Sequence, residues 1–262
     1  MTYPGRVIII GRDPSGEHDV IIYAVTGRSP SSRARRLVHD GDGAVRTEVT
    51  DPEMLRGGNE RLLLYHCLRP FPGGLAVSNG AQTDLIRETA RNLAEEPASP
   101  STGVAQSKEP PPPPAGEILR RAFRQPHLIS GVDVTAYEPD APAYTPRISG
   151  CLAGDAALAI VRRRPDGRPD RQHFPVPPET GRGRMLATYR GENCDPLPAF
   201  EGNPREVGLG EETPKMTAAA VYRALGPEDA GQDLRVGVAA LFRHVRSGEL
   251  EAAVINRTEE TG

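Results

Sequence analysis

The chain has 262 residues, a formal net charge of −3 and no tryptophan. This length suits one large domain or two small ones with a sizeable buried core. The small negative charge argues against a nucleic-acid binder and against a protein that binds anionic membranes. Cys67, Cys151 and Cys194 form no CxxC pair and no even-numbered set. This pattern favours neither a metal site nor a disulfide framework, so a cytoplasmic protein is expected.

The first third of the chain is predicted to be rich in β-strands. Arg6–Gly11 and Val20–Val25 are apolar and β-branched, and the turn residues Asp13–Gly16 separate them, which predicts a hairpin. Further strands are predicted at Ala44–Thr50, Arg61–Cys67 and Leu75–Ser78. The first residues hold no apolar segment long enough for a signal peptide or a membrane span.

A helix is predicted from Thr83 or Asp84, either of which can cap it, to about Glu96. The following residues, 97–115, are rich in Pro and Ser and include five consecutive prolines. Because such a segment cannot form a packed core, we expect a disordered insertion within a single domain that spans residues 1–262. A helix is then expected at Gly116–Phe123.

The second half alternates clusters of strands with a helix. This order predicts a layered α+β domain with largely antiparallel sheets. The strands are predicted at Ala156–Arg163, Met185–Tyr189, Val236–His244 and Glu251–Asn256, and the helix near Met216–Leu225.

A basic segment, TGRSPSSRARR at residues 26–36, follows the second predicted strand. Its Arg28, Ser29 and Arg33 are the residue types that bind phosphate, since guanidinium groups donate two parallel hydrogen bonds to phosphate oxygens. A solvated basic loop explains the same composition, and both interpretations stay open.

Tyr65, His66 and Cys67 end a predicted strand. Neighbouring strand residues face opposite sides of a sheet, so a Cys67–His66 catalytic pair is disfavoured and Cys67 is expected to be a small buried residue. Tyr65 or His66 can still line a pocket.

Two turn-rich segments combine stiff backbone with polar side chains, as binding loops do. The first is Ser78–Asp84, in which Asn79, Gly80, Thr83 and Asp84 precede or begin a helix. The second is EPDAPAYTPRISG at residues 138–150. It offers Glu138, Tyr144, Thr145 and Arg147, and a buried Glu138 would have a raised pKa suited to proton transfer. A plain turn with a helix cap, and an exposed glutamate, are the alternatives.

Other mechanisms find less support in the sequence. After removal of Met1, Thr2 would be a possible N-terminal nucleophile, but it is equally a small residue after the initiator. The sequence lacks the motifs GxxxxGK[ST], GxGxxG, HExxH and GxSxG. Six histidines show no metal-ligand spacing. No metal and no organic cofactor are therefore expected.

Six ordered pieces of the chain resemble the archaeal-type inosine monophosphate (IMP) cyclohydrolases and their bacterial relatives. The pieces are YPGRVIIIGR (3–12), TGRSPSSRARR (26–36), VSNGAQTD (77–84), EPDAPAYTPRISG (138–150), TYRGENCDPLPAFEGNPR (188–205) and AVINRT (253–258). The resemblance implies a four-layered αββα fold similar to the N-terminal-nucleophile hydrolases, without a terminal nucleophile. It also implies closure of 5-formamidoimidazole-4-carboxamide ribotide to IMP, the last step of purine synthesis, without a cofactor.

The resemblance further implies a small-molecule nucleotide as partner and assigns roles at matched positions. Glu138 transfers a proton, Tyr65 is a polarising hydroxyl, and Arg28 or Arg147 is the cation that stabilises the transition state. Arg28 and Arg33 bind the 5′-phosphate. Further substrate contacts are expected from Ser29, Asn79, Gly80, Thr83, Asp84, Tyr144 and Thr145.

His66 departs from the pattern, because asparagine is expected after the motif tyrosine. This change would alter the polar lining of the site. A related purine-like substrate and a nucleotide-binding protein without turnover are kept as alternatives, and a homo-oligomer is kept as an addition.

Overall fold

Two antiparallel β-sheets form the centre of the protein in a computed structural model that describes residues 3–55, 60–96, 112–227 and 232–257. The fold is mixed α+β, as predicted. Thr2 and residues 97–111 of the predicted insertion lie outside the described residues. Ala115, the last residue of that predicted insertion, is buried and begins a helix.

The six-stranded sheet has the order β13-β12-β1-β2-β14-β15. Its strands are β1 Arg6–Arg12, β2 His18–Thr26, β12 Arg182–Ala187, β13 Arg205–Gly208, β14 Arg235–His244 and β15 Leu250–Asn256. The predicted hairpin of β1 and β2 is confirmed, with Ile8 opposite Tyr23. Ile8, Ile10 and Ile21 pack in the core between the two sheets, which explains the long apolar runs of these strands.

The seven-stranded sheet has the order β11-β10-β9-β6-β5-β4-β3. Its strands are β3 Arg35–His39, β4 Val45–Val49, β5 His66–Phe71, β6 Gly74–Ser78, β9 Arg147–Leu152, β10 Ala156–Arg163 and β11 Pro169–Val176. The two-residue strands β7 Leu128–Ile129 and β8 Val132–Asp133 form a separate hairpin.

The longer helices each cover one sheet. The helices are α1 Pro30–Arg33, α2 Pro52–Leu55, α3 Glu60–Leu63, α4 Gln82–Glu95, α5 Ala115–Ala122 and α6 Pro214–Ala224. Helices α4 and α5 pack on the seven-stranded sheet, whereas α6 packs on β14 and β15. The sheets contact each other through β1 with β9 and β10, and through β2 with β6.

Three predicted features differ from the structure. The strand predicted at Arg61–Cys67 is instead the one-turn helix α3 followed by β5, because a short apolar run such as Leu62–Leu64 fits either element. The predicted cap of α4 is wrong, since Ala81 precedes the helix and no side chain caps it. Part of the basic segment forms α1 and begins β3, in which Arg35 and Leu37 are buried and Arg36 is exposed.

Asn256 joins the edges of the two sheets. Its Oδ1 accepts the Leu37 N–H at 2.8 Å, and its Nδ2 donates to the Leu37 carbonyl at 2.9 Å. These two hydrogen bonds replace those that a neighbouring strand would make with β3. The β3 edge of one sheet is thereby tied to the β15 edge of the other.

Asn256→Ala is expected to lower the free energy of unfolding by about 1–3 kcal/mol, because the buried Leu37 backbone loses both partners. Urea unfolding measures this loss. Asn92→Ala, on the exposed side of α4, is the matched control and should change stability by no more than about 0.5 kcal/mol. Equal, small effects of both variants would contradict this role for Asn256.

Candidate active site

Asn79 holds together the two turn-rich segments that the sequence singled out. It follows β6, and its Oδ1 accepts the Ile148 N–H at 2.9 Å. Its Nδ2 donates to the Pro146 carbonyl at 3.0 Å, and Gln82 Nε2 donates to the same Oδ1 at 2.9 Å. With all these groups buried, the side chain fixes the 138–148 segment against the start of α4.

Glu138 lies at this end of the seven-stranded sheet between two buried arginines. Its Oε2 is 3.9 Å from Arg6 Nη2, and its Oε1 is 3.9 Å from Arg147 Nη1. Asn79 Nδ2 also points to Oε1, at 3.5 Å. Glu138 and Arg147 are each 2% exposed and Arg6 is 8% exposed, so all three charges are largely removed from water.

Strand alternation brings the two arginines to Glu138 from different sides. Arg6 shares a face of β1 with Ile8 and Ile10, which pack between the sheets. Arg147 shares a face of β9 with Cys151, which packs against α4 and α5. The carboxylate therefore occupies the point where the space between the sheets meets the helix-covered face.

Burial raises the pKa of Glu138 above its ordinary value, while the charges of Arg6 and Arg147 oppose this rise. Burial also lowers the pKa of Arg147, against the attraction of Glu138. A carboxylate with a raised pKa beside fixed cations has the properties of a general acid or base.

Two tyrosine hydroxyls meet near Arg6. Tyr23 of β2 and Tyr65, just before β5, are buried, and their hydroxyl oxygens are 2.7 Å apart. Burial raises the pKa of Tyr23 well above its ordinary value, so that hydroxyl stays protonated. Tyr65 is thus held by a hydrogen bond from the opposite sheet.

The 138–145 segment is itself braced by Thr145. Its N–H donates to Asp140 Oδ1 at 2.7 Å, and its carbonyl accepts the Glu138 N–H at 2.9 Å. The Thr145 hydroxyl lies 2.5 Å from Asp140 Oδ2 and 2.6 Å from the Tyr189 hydroxyl. Burial raises the pKa of Tyr189 to about 12. These bonds fix the backbone that carries Glu138.

Positive charge exceeds negative charge in this cluster. Arg35 is 3% exposed, and its charge acts on both Glu138 and Tyr23. Arg6 Nε, Arg147 Nε and Arg35 Nη2 are buried and have no hydrogen-bond partner among the described residues. Three guanidinium groups around one carboxylate suit an anionic ligand or a transition state that develops negative charge.

A cavity of about 300 Å³ opens beside Arg147 and Tyr65. The hairpin of β7 and β8 forms one wall, and the end of α3 with the residues after it forms another. The lining residues are Leu62, Leu64, Tyr65, His66, Ala81, Asp84, Ile129, Ser130, Val132, Val134 and Arg147. An apolar cavity with a few polar groups at one end is typical of a small-molecule site.

Comparison with protein-family models finds a match over residues 3–99 to the family described as IMP cyclohydrolase-like protein. The match covers 97 of the 262 residues, and this part of the chain is similar to that family. The resemblance predicted from the sequence is confirmed, and it supports a cyclohydrolase-like role. A search of curated proteins finds no match. The matched segment contains Arg6, Tyr65 and Asn79, whereas Glu138 and Arg147 lie beyond it.

Four of the residues that family resemblance predicted come together in this cluster: Glu138, Arg147, Tyr65 and Asn79. Thr145 braces the same segment. Asp84 lines the cavity and accepts a hydrogen bond from Arg69 at 2.7 Å.

Gly80 and Thr83 do not line the cavity but help to hold the cluster in place. A Cβ at Gly80 would lie 2.6 Å from both Arg147 Nη1 and Gln82 Oε1, so a side chain there would displace the arginine. The Thr83 hydroxyl is engaged by Ser78 and by the Gly80 carbonyl.

Arg28, Ser29 and Arg33 lie apart from Glu138. The Arg28 side chain is 39% exposed, donates to the Cys194 carbonyl at 3.0 Å and lies over the Tyr3 ring at 5.9 Å. Ser29 caps α1, and Arg33 Nη1 donates to the Arg28 carbonyl at 3.0 Å. These contacts put Arg28, Ser29 and Arg33 near the surface.

Tyr144 points away from the cluster. Its backbone has a φ of 41°, and its ring packs edge-on against Tyr137 at 5.6 Å and under Arg163 at 4.4 Å.

Cys67 is fully buried, as predicted, and its thiol donates to the Val45 carbonyl at 3.3 Å. Burial raises the pKa of this thiol, which disfavours a thiolate nucleophile.

The sequence interpretation assigned no role to several residues of this cluster: Arg6, Tyr23, Arg35, Gln82 and Tyr189. Arg6 and Tyr23 could have been found from the sequence, because each is a polar side chain in a largely apolar strand. Among the described residues, no group of His, Cys, Asp and Glu side chains has the arrangement of a metal site.

No helix within the described parts of the chain is long and apolar enough to cross a membrane.

Proposed function

We propose that this protein is a cofactor-independent cyclohydrolase that closes 5-formamidoimidazole-4-carboxamide ribotide to IMP with loss of water. The observation that carries the proposal is Glu138, buried between Arg6 and Arg147. The family match over residues 3–99 supports the same reaction class.

The reaction needs proton transfer and charge stabilisation more than a cofactor. The carboxamide nitrogen attacks the formyl carbon, a C–N bond forms, and the formyl oxygen becomes an oxyanion. One hydrogen from the carboxamide nitrogen and one from the formamido nitrogen leave with that oxygen as water. Because both reacting groups sit on one ring, holding the correct rotamers supplies much of the rate.

In this proposal, Glu138 accepts the proton of the attacking nitrogen and returns one to the leaving oxygen. Arg147 and Arg6 stabilise the developing oxyanion. Tyr65, fixed by Tyr23, polarises the formyl oxygen.

Substrate binding is assigned to three groups of residues. Asn79, Gly80, Thr83 and Asp84 hold the base or the ribose. Arg28, Ser29 and Arg33 take the 5′-phosphate. Thr145 and Tyr144 shape the segment around Glu138.

Incubation of the purified protein with the formylated ribotide, followed by the purine absorbance, tests the proposal. We expect IMP to form faster than in a protein-free control. Formation of IMP at only the spontaneous rate would rule the proposed activity out.

Arg28→Lys is expected to raise KM with little change in kcat, since lysine keeps the charge but loses the two-pronged guanidinium. Steady-state kinetics at fixed salt measures this split. Arg124→Lys, at an exposed position after α5, serves as the control. A drop in kcat at unchanged KM would instead indicate that Arg28 acts in the chemical step.

One observation favours a second candidate function. His66 lines the cavity at the position where the resemblance leads us to expect asparagine. This difference favours a related purine-like nucleotide as substrate, or binding of a nucleotide without turnover. Tight binding of IMP with no ring closure would favour the binding protein.

The proposal also includes a single domain with the four-layer αββα arrangement of N-terminal-nucleophile hydrolases. The helices packed on the outer faces of the two sheets support it. A cytoplasmic location is proposed because all three cysteines are free. We also propose a homo-oligomer.

A further inference from the structure

A second cavity, of about 900 Å³, lies where the edge strands of the two sheets meet. We call it the edge cavity. Its lining residues are Pro30, Arg33, Ala34, Arg35, Arg36, Thr50, Asp51, Met54, Asn256 and Arg257. Asn256, one of these lining residues, joins β15 to β3 through its two hydrogen bonds with Leu37.

The edge cavity is strongly basic. Among the described residues, four arginines line it, and Asp51 is the one lining carboxylate. Arg36 Nη2 is paired with Glu48 at 2.6 Å, which offsets one of these charges. Arg257 is exposed at the cavity rim. An excess of cations facing one concave surface attracts an anion.

Arg35 gives the edge cavity a fixed positive charge. Its Nε donates to the Ser32 carbonyl at 3.0 Å and its Nη1 to the Leu63 carbonyl at 3.1 Å, so the guanidinium is held in place. Its Nη2 is buried and has no partner among the described residues. The positive charge of Arg35 is therefore fixed beside the edge cavity, while its Nη2 atom is not open to the cavity.

We infer that the edge cavity binds the phosphate group of a phosphomonoester. Guanidinium groups match phosphate oxygens in geometry as well as in charge, and the group carries close to two negative charges at neutral pH. The edge cavity shares Arg33 with the proposed 5′-phosphate contacts and Arg35 with the Glu138 cluster, and it adds Arg36 and Arg257. Arg257 and Asp51 have no role in the proposed ring closure, so they allow the inference to be tested separately from that reaction.

Calorimetric titration of the full chain with inorganic phosphate, IMP and inosine tests the site. Arg257→Ala should weaken phosphate binding by about tenfold. Asp51→Asn should tighten it severalfold, because a repulsive carboxylate is removed. Arg246→Ala is the matched control, since Arg246 is an exposed arginine before β15 just as Arg257 is one after it. The control should leave binding unchanged.

The same titrations identify the source of the phosphate. If Arg257→Ala weakens IMP and phosphate binding by the same factor and leaves inosine binding unchanged, the edge cavity takes the phosphate of the nucleotide. If only phosphate binding responds, the site serves a separate phosphate-bearing ligand.

Unchanged binding of phosphate and IMP in both Arg257→Ala and Asp51→Asn, with unfolding curves like that of the parent chain, would overturn the inference. Ring closure is measured separately. A protein that responds to these substitutions but forms no IMP keeps the edge cavity as a phosphate site and refutes only the proposed reaction.

Discussion

Replacing Glu138 with glutamine is expected to lower turnover by about 10²–10⁴-fold, the usual contribution of a general acid–base group. Glutamine keeps the shape and the hydrogen bonds to Asn79 but cannot transfer a proton. Substrate binding should change little, so the loss appears in kcat and not in KM. Steady-state kinetics with the formylated ribotide gives both constants.

The pH profile separates a proton-transfer role from a structural one. Since burial raises the pKa of Glu138, the rising limb of activity should lie at a higher pH than the ordinary glutamate value of 4.5. Glu138→Gln should lack that limb. Glu201→Gln, at an exposed position, should keep it. Near-full turnover of Glu138→Gln across the pH range would make the carboxylate structural and Tyr65 the first candidate for proton transfer.

The same shift has a consequence for stability. Above pH 4.5 the unfolded chain releases this proton, while folded Glu138 retains it up to its raised pKa. The folded state binds more protons in that window, so this residue's contribution to stability falls as the pH rises through it. Glu138→Gln is expected to remove this contribution to the pH dependence of stability.

Replacing Arg147 with methionine is expected to lower the free energy of unfolding by about 3–5 kcal/mol, the usual cost of removing one partner of a buried charge pair. Methionine fills much of the same volume but leaves Glu138 without one of its two cations. It also leaves Gln82 Oε1 without the Arg147 Nη1 donor at 3.0 Å. Urea unfolding at neutral pH measures the loss.

A double-variant comparison isolates the charge. In a Glu138→Gln background, Arg147→Met should cost less, because no buried negative charge is left unpaired. Arg147→Lys keeps the charge without the guanidinium geometry and should be intermediate. Equal costs of Arg147→Met in both backgrounds would show that packing alone, and not the pair with Glu138, determines the effect.

Strands β1 and β2 were predictable because each contains a long apolar run and a turn with Pro14 and Gly16 separates them. Strand β3 was missed because arginines dominate its sequence, although Arg35 and Leu37 alternate with the exposed Arg36 as in any half-buried strand. Strand β9 was missed for a different reason. Its first residues follow a run of prolines, which predicts a loop continuing to Gly150.

The sequence predicted the site residues that lie in turn-rich segments. It missed residues, such as Arg6, that lie in strands. Glu138 and Asn79 stand in turn-rich segments with few other roles, so sequence reasoning selects them. Arg6 begins a strand and looks like an ordinary solvent-exposed end. Only the packing of the two sheets shows that it faces Glu138, because charge partners distant along the chain leave no local pattern.

Assembly of the Glu138 cluster from separate parts of the chain bears on when it can form. Arg6 and Tyr23 belong to the six-stranded sheet, whereas Arg147 belongs to the seven-stranded one. A folding intermediate with only one sheet would hold some of these groups in water, without the burial that perturbs their protonation. Contacts between residues so far apart in sequence form slowly, since the intervening loop must first be closed. Recovery of catalytic competence after dilution from denaturant would therefore report the docking of the two sheets, later than the appearance of β-structure in circular dichroism.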